Sequence, residues 1–197
     1  MPEYYFDTEV ACEGEEYELF IRGESELHPE RYKLITIQFQ KLDDSGNPAG
    51  PLQVLKEWEI GEEEMIRGFS KLLNPKRVWQ FIPVGQNLTF DLGMLKARAA
   101  RYGVIYDGWF LFTQLPRIDL KDICLGMNGF KFAGSGLDKF CNKPRDGEKV
   151  PAWYLNKEYE KISEYVRREA EEFISFYARI KKTLPKFRLD NGFYNGV

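Results

Sequence analysis

Four acids and one tyrosine are the residues of this chain whose types and spacing suit chemistry. Asp7 and Glu9 stand in Tyr4-Tyr5-Phe6-Asp7-Thr8-Glu9-Val10, a run that predicts a strand. Side chains alternate faces along a strand, so both carboxylates project from one side. Held a few ångströms apart and partly desolvated, they repel unless a proton or a cation lies between them, and hard oxygen donors of this kind suit Mg²⁺ or Mn²⁺. On this segment alone, a second reading stays open: the solvent face of an amphipathic edge strand. Asp91 follows Gly85-Gln86-Asn87-Leu88-Thr89-Phe90, where a buried apolar run at 78–84 gives way to a helical pattern. Tyr165 and Glu169 are four residues apart on the last helix, on a stripe otherwise made of Ile162, Val166, Phe173, Phe176, Tyr177 and Ile180. A carboxylate there is costly unless it is paired or binds a metal, or unless it snorkels at the edge of the stripe.

The elements that must position these groups follow from periodicity. The β-branched and aromatic run at 33–40, the breaker cluster at 43–51 and a second run at 53–58 predict a hairpin with a long loop, and the segment 17–21 is ambiguous in a region that otherwise reads as antiparallel sheet. A helix is predicted over 61–73, with Glu62-Glu63-Glu64 in its first turn, then a buried strand over 78–84 with Pro83 at its end or at a bulge. A second helix runs from Asp91 to about Arg101. The stretch 126–136 is Gly-rich and irregular, a short helix is expected at 137–141, and a polar loop leads through 150 to a long closing helix over 157–182.

Composition sets the outer bounds. The 197 residues can bury a substantial core and predict a single domain over 1–197. With Lys+Arg 28 against Asp+Glu 31, a polyanion partner would have to meet a local basic patch or bound metal. Cys12, Cys124 and Cys141 are widely separated, which gives no zinc or disulfide framework and suits a reducing cytoplasm. No apolar run reaches membrane-spanning length, so a soluble cytoplasmic protein without membrane contact is expected. The absence of a Gly-rich strand-to-helix turn argues against a dinucleotide enzyme.

Taken in order, Asp-x-Glu on the first strand, Asn87-Leu88-Thr89-Phe90-Asp91 after a buried strand, and Tyr165-Val166-Arg167-Arg168-Glu169 on the last helix resemble the DEDDy group of 3′–5′ exonucleases, in particular the proofreading domains of family-B DNA polymerases. The resemblance runs from Phe6 to about Ile180, with weaker echoes at Ile118-Asp119-Leu120 and Gly136-Leu137-Asp138. One departure stands out: the family has Asp where this chain has Glu169.

The resemblance implies an α/β, RNase H-like fold, a mixed five-stranded sheet flanked by helices. It implies two ions, Mg²⁺ or Mn²⁺, held by Asp7, Glu9, Asp91 and Glu169. Asp7 would bridge the ions, Glu9 and Glu169 would hold the one that activates water, Asp91 would serve the other, and the Tyr165 hydroxyl would orient the attacking water. Thr8, Asn87 and Phe90 would meet the terminal nucleotide, with core packing open for Phe90. The partner implied is a single-stranded nucleic acid 3′ end, DNA ahead of RNA, and beyond it a replication or repair protein. Two functions stay open: a metal-dependent 3′–5′ exonuclease, and a catalytically weakened fold acting as a nucleic-acid-binding or partner-docking module. Lys96, Arg98, Arg101, Arg167, Arg168, Lys181, Lys182, Lys186 and Arg188 are available to a nucleic-acid backbone, although cations near a helix C-terminus also simply complement its dipole.

Overall fold

The strand that carries Asp7 and Glu9 lies in the middle of the sheet. The structure, a computed structural model, describes residues 2–183. Strand β1 (Glu3–Ala11) pairs antiparallel with β2 (Lys33–Leu42), which pairs antiparallel with β3 (Gln53–Lys56). On its other side β1 runs parallel to β4 (Ile82–Gly85), and β4 parallel to β5 (Ile118–Asp119). The order is β3-β2-β1-β4-β5, the expected mixed five-stranded sheet.

Alternation along β1 sends its side chains to two different cores. Phe6 packs with Met65, Ile66 and Phe69 of α3 (Glu62–Ser70) and with Leu88, Leu92 and Leu95 of α4 (Leu88–Ala100). Tyr5 faces the opposite way, against Phe173 and Tyr177 of α7 (Tyr159–Thr183). Asp7 and Glu9 share the parity of Tyr5 and therefore look toward α7, whereas Thr8 looks toward α4. The predicted common face for the two acids is met.

Helix α4 is locked to the sheet by backbone economy at 85–88. A Cβ on Gly85 would sit 2.5 Å from Leu88 Cδ2 and 2.6 Å from the Phe6 carbonyl oxygen, so only glycine lets the strand turn this close. Asn87 takes the left-handed conformation, with φ 62. The Asp119 carboxylate then accepts from the Asn87 and Leu88 amides, each at 2.8 Å, which ties the start of α4 to β5. A buried ion pair fixes the far side: Arg98 of α4 donates to Glu62 of α3 at 2.7 and 2.5 Å, and Glu62 also accepts from the Leu34 amide and the Tyr102 hydroxyl.

Several elements depart from the sequence expectations. Residues 15–21 form helix α1 (Glu15–Ile21) instead of continuing the sheet. Gly14, with φ 61, breaks away from β1, three acids occupy the first helical turn, and Tyr17 and Phe20 stack one turn apart. The hairpin's second strand stops at Lys56 and continues as a short helical turn α2 (Glu57–Ile60). The segment 75–80 is a 3-10 turn because Pro75 and the Asn74 cap, whose side chain accepts from the Lys76 amide at 2.9 Å, favour a helical start there. Pro83 stands inside β4, whose strand begins only at Ile82. Two further α-helices were not anticipated, α5 (Leu120–Met127), capped by Asp119, and α6 (Val150–Leu155), with Pro151 in its first turn.

Candidate metal centre

The pairing of β1 with β4 ends at Tyr5 and Val84, so Asp7 and Glu9 project past the end of β4. A crevice opens there, at the carboxyl ends of two parallel strands where connections leave in opposite directions, the place where open α/β sheets bind ligands. Helix α7 covers one wall and delivers Glu169 and Tyr165, both 5% exposed. Single carboxylate oxygens of Asp7, Glu9 and Glu169 lie within 4.8 Å of one another. Asp91 enters from the α4 side, held by Thr8: its Oδ1 accepts from the Thr8 hydroxyl at 2.7 Å and from the Thr8 amide at 3.1 Å. Asp7, Glu9, Asp91, Tyr165 and Glu169 all line one cleft of about 320 Å³, together with Thr8 and Phe90. A larger groove of about 600 Å³ follows the outer face of α7 beside Leu52 and Ile174, and among the described residues Glu171 alone contributes a carboxylate to its lining.

The electrostatics are those of carboxylates crowded out of water. Burial raises the proton affinity of Asp7, and the charges of Glu169 and Asp91 raise it further; Glu9 is raised by burial, then by Glu169 and Asp7. Asp91 is pushed up to about 7 by burial, against the opposing hydrogen bonds from Thr8. The Tyr165 hydroxyl is held in its protonated form by burial and by the charges of Glu9 and Glu169. One oxygen of Glu169, Oε2, is buried with no hydrogen-bond partner among the described residues. A buried carboxylate oxygen without a partner costs free energy unless a cation or donor meets it. The donor set, all carboxylate oxygen with one unsatisfied atom, thus fits a hard divalent ion of the Mg²⁺ or Mn²⁺ kind.

Sequence reasoning missed four residues of this neighbourhood. Lys143 pairs its ammonium with Glu169 Oε1, and the charges of Glu169 and Asp7 raise its proton affinity despite burial. It comes from the polar loop before α6, which carries no periodic signal. Thr36 and Gln38, opposite Glu9 and Asp7 on β2, are fully buried and hydrogen-bonded to each other at 3.0 Å. Polar residues at two alternate positions within the apolar stretch Leu34–Phe39 of β2 were the available signal. Gln86, between β4 and α4, also lines the cleft. Asn87 lies in a neighbouring hollow, not in the acid cleft, with its side-chain oxygen accepting from Lys121 at 2.8 Å. Of the basic residues, Arg98 is buried on Glu62, Lys181 pairs with Glu3 and Arg167 with Glu171, while Lys186 and Arg188 lie outside the described residues.

No protein-family model and no curated relative matches the chain. Among solved structures it is similar to the family B DNA polymerase from the hyperthermophilic archaeon Pyrobaculum calidifontis, 17% identical, over 92% of this chain and 24% of that chain, with a TM-score of 0.58. A weaker likeness, with a TM-score of 0.42 and 16% identity over 65% of this chain and 30% of that chain, is to E. coli Exonuclease I in complex with a dT13 oligonucleotide. The chain thus spans less than a third of the length of either. The polymerase match, with the strand order above, establishes the RNase H-like fold.

Proposed function

We propose that this chain is a metal-dependent 3′–5′ exonuclease acting on single-stranded nucleic acid ends, DNA ahead of RNA. One observation carries the reading: Asp7, Glu9 and Glu169 converge within 4.8 Å at a strand-end crevice, with Asp91 on the same cleft and a Glu169 oxygen unsatisfied. When bound, two divalent ions would supply a nucleophilic water near neutral pH and stabilise charge on the leaving 3′ oxygen.

The protein's own groups divide the remaining work. Asp7, Glu9 and Glu169 would hold one ion, and Asp91, kept in place by Thr8, would serve the other with Asp7. The Tyr165 hydroxyl, protonated and beside Glu9 and Glu169, orients the attacking water by hydrogen bonding. Lys143 keeps part of the negative charge compensated when phosphate enters. The apolar flank formed by Val10, Phe20, Tyr32 and Phe90 takes the terminal nucleoside and excludes water from it.

The Lys143–Glu169 pair also favours a second reading, in which the ammonium replaces the cation and the fold only binds nucleic acid or a replication or repair protein. One assay separates the two: 5′-labelled single-stranded DNA incubated with Mn²⁺, Mg²⁺ or EDTA. A ladder shortening from the 3′ end, absent in EDTA and absent on circular single strands, is the expected result. Binding without cleavage under all three conditions would leave the docking module.

A further inference from the structure

We propose that the acid cleft continues past Gln86 to a second nucleotide subsite, where the loop at 128–135 presents Phe132 as a stacking platform for bases upstream of the terminal nucleotide; this rests on the exonuclease reading above. Three hollows lie end to end. The acid cleft shares Gln86, Lys143 and Tyr165 with a hollow of about 420 Å³ that also includes Gly136 and Arg145. That hollow shares Gln86 and Gly136 with a third, of about 220 Å³, lined by Asn87, Lys121, Phe132 and Ser135.

The charge along this path changes as a strand backbone requires. Carboxylates crowd the first hollow; in the second Lys143 and Arg145 are balanced by Asp138 and Glu148, with Arg145 3.6 Å from Asp138; among the described residues the third is lined by Lys121 and no acid, with Lys131 next to Phe132. With the scissile phosphate at the carboxylates and the terminal nucleoside on the apolar flank, the rest of the strand leaves on the other side, along these cations. Phosphates are held by such positive charge, and bases stack on aromatic rings without regard to sequence.

Phe130 and Phe132 are 76% and 78% exposed, which is unusual for large rings on an ordered loop. The loop is built rather than slack. Asn128 donates to the carbonyls of Lys131 and Ala133 at 2.7 and 2.9 Å, Ser135 donates to Lys131, and the Phe130 amide donates to the Leu125 carbonyl at 2.8 Å. At the junction of all three hollows the Gln86 side-chain oxygen is buried without a partner among the described residues. A base N–H on the path, such as thymine N3–H, would satisfy it.

The test measures binding of fluorescein-labelled oligo-dT of two to eight nucleotides in EDTA, where no cleavage occurs, by wild type, Phe132→Ala and Phe132→Trp. Affinity of wild type should rise as the oligonucleotide lengthens. Phe132→Ala should lose roughly tenfold in affinity for the longer ones, Phe132→Trp should retain it, and the dinucleotide should bind all three proteins alike. An oligonucleotide abasic upstream should bind wild type as weakly as intact DNA binds Phe132→Ala. If wild type degrades DNA from the 3′ end but Phe132→Ala binds long oligo-dT as tightly as wild type, the platform is refuted and the exonuclease reading stands. A wild type that neither binds nor cleaves single strands overturns both.

Discussion

Replacing Asp91 by Asn tests whether the site holds a carboxylate strained by burial. The rise of the Asp91 carboxyl from its ordinary 3.8 to about 7 corresponds, at roughly 1.4 kcal/mol per pH unit, to about 4 kcal/mol of folding free energy lost on ionisation. Asn retains the oxygen that accepts from Thr8, so the clamp survives. Its amide needs an acceptor that the neighbouring carboxylates can provide; if imperfectly placed it costs about 1–3 kcal/mol. The net gain in metal-free buffer at pH 8 is then about 1–3 kcal/mol, a Tm increase of roughly 2–12 °C for a chain of this size. The sign depends on pH. Below about 3.8 the carboxyl is protonated whether the chain is folded or not, and wild type carries no penalty. From there to about 7 the folded state keeps a proton that the unfolded state has lost, so wild-type stability falls as pH rises and the advantage of Asp91→Asn opens over the same window. Urea unfolding in EDTA at pH 5, 6, 7 and 8 reads this directly. A gap that stays constant with pH, or a variant less stable than wild type at pH 8, would refute the reasoning.

Three further outcomes follow from the same geometry. Lys143→Met removes the ammonium that compensates Glu169, so Tm in EDTA should fall while the Tm increase produced by Mn²⁺ grows; an unchanged Mn²⁺ response would mean the ammonium and the ion do not share Glu169. Glu169→Asp shortens the arm by roughly 1.5 Å and should reduce exonuclease rate by orders of magnitude, as should Glu169→Gln, whereas Tyr165→Phe should lower the rate and leave Mn²⁺ affinity as it is. Titration of Mn²⁺ by calorimetry alongside rate measurements distinguishes these effects, and wild-type rate in Glu169→Asp would remove Glu169 from the ligand set. Arg98→Ala strands Glu62, which is 4% exposed, and should destabilise the fold by about 3–5 kcal/mol in urea unfolding, with or without metal.

The sequence alone determined which residues share a face. Strand parity put Asp7 and Glu9 on one side of β1, one-turn spacing put Tyr165 beside Glu169, and an apolar stripe marked Glu169 as anomalous, because local periodicity depends only on backbone geometry. The glycine-and-helix junction that places Asp91 was legible for the same reason. Tertiary structure decided everything that depends on which distant segments meet. Nothing local announced that Lys143, from an aperiodic loop, would sit on Glu169, or that Thr8 would hold Asp91 across 83 residues. Helices α5 and α6 were hidden because each is too short for a 3.6-residue period to show, and docking against α7 and the sheet stabilises them more than their own propensity does. The raised proton affinities of the site likewise come from burial and from convergence of three chain segments, and both exist only once the sheet and α7 have closed around the crevice.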